Sequence, residues 1–159
     1  TFRLTKTNGF LNIFVQTLKF PLKYIKYRKA MSRLMIYLES QEERIVWTSQ
    51  LIDTKNFSEK ERILEARKQL VNLANARLVI TSRIHSALPA VAFETPVLFL
   101  SDGLEHPNQK SRLEGLDSFF PIINSSELIE WQGKQPEAKK AHLPFVKKIQ
   151  KGIDTFFKD

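Results

Sequence analysis

Ala76-Arg77-Leu78-Val79-Ile80-Thr81-Ser82-Arg83-Ile84-His85-Ser86-Ala87-Leu88-Pro89-Ala90-Val91-Ala92-Phe93-Glu94-Thr95-Pro96-Val97 is the stretch on which the fold reading turns. Leu78-Val79-Ile80-Thr81 is a short apolar run of the kind that forms a strand buried on both faces of a parallel sheet. Small and apolar residues follow from Ala87 to Phe93, interrupted by Pro89. Proline is best tolerated in the first turn of a helix, where its missing N–H costs nothing. That places the helix start at His85 or Ser86 and leaves Arg83 in the preceding turn. Pro96-Val97-Leu98-Phe99-Leu100 then reads as the next strand. Strand, short helix, strand is a βαβ unit with a right-handed parallel crossover.

Upstream, Ser58-Glu59-Lys60-Glu61 is a capping box: the Ser hydroxyl accepts from the backbone three residues on, and Glu61 reaches back. The helix it opens carries Ile63, Ala66, Leu70, Leu73 and Ala74 on one stripe and ends near Asn75. Arg44-Ile45-Val46-Trp47-Thr48 has the β-branched and aromatic bias of a short strand. Pro21 is well placed to open a helix over residues 21–39 with a basic face. Downstream, residues 101–118 form a polar loop with helical turns around Ser111-Arg112-Leu113. Phe119-Phe120-Pro121-Ile122-Ile123 suits an edge strand, because proline inside it argues against a central one. Ser125 or Ser126 caps a short helix through Trp131, and Gly133 to Pro136 is a loop. Residues 144–157 make a closing amphipathic helix with Phe145, Ile149, Ile153 and Phe156 expected inward.

The chain of 159 residues fits one compact domain. With no cysteine, disulfides and thiolate metal sites are excluded; with three His and no HxH or HExxH spacing, no zinc site is expected. No stretch reaches the roughly 20 apolar residues of a membrane span. Lysines 19, 23 and 26 interrupt every apolar run that could serve as a signal peptide. Thr1 stands where an initiator Met would, which suggests a piece of a longer protein. The net charge of +8 is uneven. Arg3, Lys6, Lys19, Lys23, Lys26, Arg28, Lys29 and Arg33 face only Glu39 within residues 1–40, and the remainder is near neutral. The chain therefore divides into a basic, partly helical segment (1–40) and an α/β, Rossmann-like domain (41–159), a parallel sheet with flanking helices. Three readings fit the basic segment: a helix packed on the domain with a solvated basic face, a peripheral contact with an anionic membrane, or phosphate binding. The absence of any nucleic-acid motif ranks the last lowest.

Ligands of open α/β sheets bind at the carboxyl ends of strands, beside helix N-termini. Ser82 to Ser86 occupies that place, where free N–H groups and the helix dipole favour an anion. Arg83 adds a fork of donors suited to carboxylate or phosphate, and His85 can donate to an anion or move a proton. Thr81, Ser82 and Ser86 add hydroxyls. Without glycine in this turn, it is neither a Walker loop nor a dinucleotide fingerprint. The competing reading is a surface turn with an ion pair. His106 and His142 read as surface histidines, and Trp47 and Trp131 as core or edge aromatics. Asp53, Asp102 and Asp117 are too scattered to nominate as a metal or acid–base pair.

The run from Ala76 to Val97 resembles the C-terminal signature of the polysaccharide pyruvyl transferase family, as do Glu61-Arg62 upstream and Arg112-Leu113-Glu114-Gly115-Leu116 downstream. The similarity covers roughly residues 58–117. It departs from many members at Ser86 and Glu94, where those carry glycine after the His and before the Thr-Pro. The resemblance implies two Rossmann-like halves (a GT-B-like architecture) with ligand in the cleft between them, this chain matching the C-terminal, donor-binding half. It implies transfer of the enolpyruvyl group of phosphoenolpyruvate to a sugar or lipid-linked glycan in surface polysaccharide synthesis, with no cofactor or metal required. The expected location is cytoplasmic, or peripheral at the inner face of the membrane where the basic segment contacts anionic lipid. Carried over by position, Arg83 and His85 are the catalytic pair. Thr81, Ser82, Arg83, Ile84, His85, Ser86 and Arg112 are the substrate-binding set. Arg83 would hold the donor's carboxylate or phosphate; His85 would bind phosphate or act as general acid. A nucleotide-sugar glycosyltransferase half and a non-catalytic binding module are the alternatives.

Overall fold

A computed structural model describes residues 9–49 and 57–157, with side chains from Tyr24 onward. The order is α1 (Gly9–Glu39), α2 (Glu59–Asn75), β1 (Val79–Thr81), α3 (Ile84–Ala92), β2 (Val97–Leu100), α4 (Pro107–Lys110), β3 (Ile122–Ile123) and α5 (Leu143–Phe156). Short 3-10 segments lie at Ser111–Leu113, Leu116–Ser118 and Ser125–Trp131. The strands form one parallel sheet in the order β1-β2-β3, with Val79 opposite Val97 and Phe99 opposite Ile122. This is an α/β fold around a small open sheet.

The alternation of side chains along the strands explains its layers. Val79, Val97 and Phe99 pack on one face with Ala87, Ala90 and Val91 of α3. Leu98 and Ile123 pack on the other, against Tyr37 of α1 and Leu128 of the 3-10 helix Ser125–Trp131. Phe99 stacks on Phe120, ring centroids 5.6 Å apart, tying β2 to the entry of β3. β2 is buried between these layers, as its unbroken apolar sequence requires. β1 was expected to be buried on both faces too. It is an edge strand, and Ile80 and Thr81 are only half-buried.

The capping box forms as read: Ser58 Oγ accepts from Glu61 N at 3.3 Å, and Glu61 Oε2 accepts from Ser58 N at 2.8 Å. The hydroxyl hydrogen bond also holds the Glu61 carboxyl below its ordinary pKa. Four other readings need correction. α1 begins at Gly9, so Pro21 lies inside a long helix and does not open one. Residues 44–48 form no strand. Glu43 pairs with Arg77 just before β1, and Gln69 of α2 donates to the Ser49 carbonyl at 3.0 Å. These two anchors stretch the segment from the start of β1 to the middle of α2 without ladder bonds, and Trp47 is left 61% exposed. The α2 stripe is only partly used: Leu73 reaches the core, whereas Ile63 and Leu70 are exposed. Finally, α5 leaves Phe145, Ile149, Ile153 and Phe156 exposed, the reverse of the expected inward face.

The turn from α3 to β2 accounts for the Glu94-Thr95-Pro96 sequence. Glu94 N donates to Val91 O and Thr95 N to Ala90 O, each at 2.9 Å. That pair of bonds is a Schellman ending, with Glu94 in the left-handed position at φ 56°. Thr95 is buried, and its hydroxyl donates to the Leu73 carbonyl at 2.9 Å, fastening the turn to the end of α2. Pro96 presents its carbonyl to Val79 N at 2.9 Å, which starts the β1–β2 ladder.

Candidate functional site

β1 delivers the chain to its carboxyl end at Thr81, and two residues later α3 begins. Thr81 Oγ1 accepts from Arg83 N at 3.0 Å, closing a side-chain turn that fixes the backbone at Ser82. Arg83 is the N-cap, with extended dihedrals (φ −114°, ψ 118°) and no side-chain capping bond. Its carbonyl accepts from the N–H groups of both Ser86 and Ala87 at 3.0 Å. The N–H groups of Ile84 and His85 head the helix with no helical carbonyl before them.

The expected helix start was one or two residues late, and the reasoning from Pro89 needs revising. Pro89 is the sixth residue of α3, so the ladder lacks the bond to the His85 carbonyl. The buried small side chains of Ala87 and Ala90, which let α3 lie close on the sheet, set its course instead.

Arg83 and His85 are both exposed. Among the described residues, no hydrogen bond or ion pair engages either side chain, and no carboxylate pairs with the Arg83 guanidinium. Ser82 is exposed, and Thr81, Ile84 and Ser86 are half-buried. The structure thus brings Thr81 through Ser86 together around one helix head. Arg112 stands apart in the connection from β2 to β3. It is exposed in a 3-10 turn whose next residue, Leu113, enters the core beside α3. No hydrogen bond or ion pair joins Arg112 to the Ser82–Ser86 segment among the described residues.

Glu94 closes the other end of α3, roughly 15 Å along the helix axis from Arg83. Its carboxylate pairs with Lys140 at 2.8 Å, and this contact holds it below its ordinary pKa. It does not oppose an anion at the helix head. His106 caps α4 through Nδ1, which accepts from Asn108 N at 3.3 Å. His142 differs from its surface reading: it is half-buried at the start of α5, and its Nδ1 is buried with no partner among the described residues. Trp131 packs at the rim of the core, while Trp47 does not.

Sequence reading passed over one polar arrangement at the end of β2. Asp102 accepts from the Ser125 hydroxyl at 2.7 Å and from Ser125 N at 2.8 Å, with Arg33 donating to the same hydroxyl at 3.5 Å. Ser125 is buried, so this set fastens α1, the β2 exit and the final 3-10 helix to one another. Its members are separated by up to 92 residues, a spacing that no local pattern signals.

Among the described residues there is no cluster of three or more His, Asp or Glu that could hold a metal ion. No described helix is long and apolar enough to cross a membrane. Compared with protein-family models, curated proteins and solved structures, the chain matches none.

Proposed function

We propose that this chain is the donor-binding half of a pyruvyl transferase of the polysaccharide type. In this reading it recognises phosphoenolpyruvate at the head of α3 and acts with a second Rossmann-like half in a GT-B-like arrangement. The observation that carries the reading is the exposed Arg83 and His85, without an ion pair among the described residues, at the carboxyl end of β1 on a helix N-terminus. A dianionic donor suits such a place, because the helix head and the guanidinium both favour negative charge.

The chemistry assigns each group a part. Arg83 grips the carboxylate or phosphate in a two-pronged contact, assisted by the Ile84 and His85 N–H groups and the Ser82 and Ser86 hydroxyls. His85, as imidazolium, hands a proton to the methylene carbon of the enolpyruvyl group, and positive charge develops at the adjacent carbon. One sugar hydroxyl attacks that carbon. A second then displaces phosphate, so two C–O bonds to the sugar form, the bond between that carbon and the phosphate oxygen breaks, and the oxygen leaves on phosphorus. One hydroxyl proton restores His85 and the other leaves with the phosphate. Arg112 serves as an outer contact to the cleft, and the acceptor is a sugar or lipid-linked glycan bound mainly by the other half.

Calorimetric titration of the chain with phosphoenolpyruvate tests the reading, with UDP as competitor. Binding that Arg83→Ala weakens at least tenfold is the expected result, consistent with the loss of a charge-assisted contact. Stronger binding of UDP would move the assignment to a nucleotide-sugar transferase. Phosphoenolpyruvate binding unchanged by Arg83→Ala would remove the helix head from the site.

A further inference from the structure

α5 has a clean division of faces. At about 100° per residue, Phe145, Val146, Ile149, Ile153, Phe156 and Phe157 fall within an arc about 120° wide. Lys147, Lys148 and Lys151 lie on the opposite side and are all exposed. Asp154 is the only acidic residue between Leu143 and Phe156. The helix touches the body at its first turn, where the Phe145 ring meets Phe119 with centroids 6.1 Å apart. Beyond that turn nothing among the described residues covers the apolar arc: Ile149 is 62% exposed, Phe156 76% and Phe157 79%.

From this arrangement we infer that α5 docks flat on an anionic lipid bilayer, its apolar arc among the acyl chains and its lysines at the headgroups. The argument is charge complementarity. A stripe that meets a protein partner has no need of a polar face with a net positive charge. α2, which also leaves Ile63, Leu64, Leu70 and Val71 exposed, mixes Glu59, Glu61 and Glu65 with Lys60, Arg62, Arg67 and Lys68. α5 instead pairs large aromatic and aliphatic side chains with a polar face on which Lys147, Lys148 and Lys151 outnumber the single Asp154, the composition of an interfacial helix. Fourteen residues reach about 21 Å, too short to span a bilayer and long enough to lie in its surface. The inference is independent of the donor reading and involves none of its residues.

Vesicle co-sedimentation of the whole chain provides the test, with phosphatidylcholine alone and phosphatidylcholine mixed with phosphatidylglycerol. Binding to the mixed vesicles only, weakening as salt rises, is expected. Lys147→Gln and Lys148→Gln should each weaken it about fivefold. The double substitution Ile149→Ser, Phe156→Ser should weaken it at least tenfold, because both side chains enter the apolar layer. Both positions are exposed, and the lysine variants keep the test decisive should the serine pair unfold. Three results overturn the inference: no binding to the mixed vesicles, binding that α5 variants leave unchanged, or self-association that the serine pair abolishes without any vesicle binding.

Discussion

Tyr37 is 1% exposed between α1 and the sheet, and its hydroxyl is buried with no hydrogen-bond partner among the described residues. The ring contributes through its area, in contact with the cluster of Leu98, Ile123 and Leu128. The hydroxyl opposes it, since a buried polar group without a partner costs about 1 to 3 kcal/mol. Tyr37→Phe should therefore raise the unfolding free energy by about 1 kcal/mol, read from a denaturant titration. The same burial gives a pH dependence. Desolvation raises the Tyr37 pKa above 10.0, so the unfolded chain gives up this proton first. Its contribution to stability is complete below pH 10 and is lost as pH rises through the folded-state value. The difference between wild type and Tyr37→Phe should accordingly widen in alkaline solution. A variant less stable than wild type at neutral pH would mean that the hydroxyl has a partner after all.

At the scale of the element, α3 is the part most constrained by its ends. Its head holds Arg83 and His85, and its tail is the Schellman turn with Glu94 at φ 56°. Glycine is the usual occupant of that position, because an L side chain meets its own carbonyl there. Glu94→Gly should stabilise the chain by about 0.5 to 1 kcal/mol, the relieved strain exceeding the loss of an exposed pair with Lys140. Thermal unfolding measures it, and a lower midpoint would show that the Lys140 contact outweighs the strain. The βαβ unit around α3 was legible because unbroken apolar runs and small residues leave few alternatives to a buried strand and a close-packed helix. The proline argument failed because it weighed one lost ladder bond and neglected what Ala87 and Ala90 gain against the sheet. Residues 44–48 misled for a different reason. The β-bias of Ile45, Val46 and Trp47 describes side chains that suit a strand, but a strand exists only where a neighbour supplies the ladder. The place of the Ser82–Ser86 turn between strand and helix was legible; the absence of an ion pair at Arg83 among the described residues, and the Asp102–Ser125–Arg33 set, needed three-dimensional contacts.

Across the whole molecule, burial is concentrated in the sheet, α3 and the last turns of α1. β2 is covered on both sides, while α2 and α5 contain no fully buried residue. The amphipathic period that made residues 144–157 read as an inward-facing helix reports that a face exists, and leaves open what covers it. This uneven burial predicts an uneven pattern of amide exchange. Opening a segment costs little when few apolar contacts are broken, so α5 and α2 should exchange through local opening, well before the core. Leu98, Phe99 and Val91 should exchange only with global unfolding, since freeing them exposes both faces of the sheet. Hydrogen exchange on the whole chain checks this directly. Comparable protection of α5 and β2 in the free chain would mean that the α5 stripe is already covered in solution, and the search for its occupant would turn to a second copy of the chain. Protection of α5 that arises only with anionic vesicles would place the bilayer on that stripe, with the sheet and the head of α3 unchanged beside it.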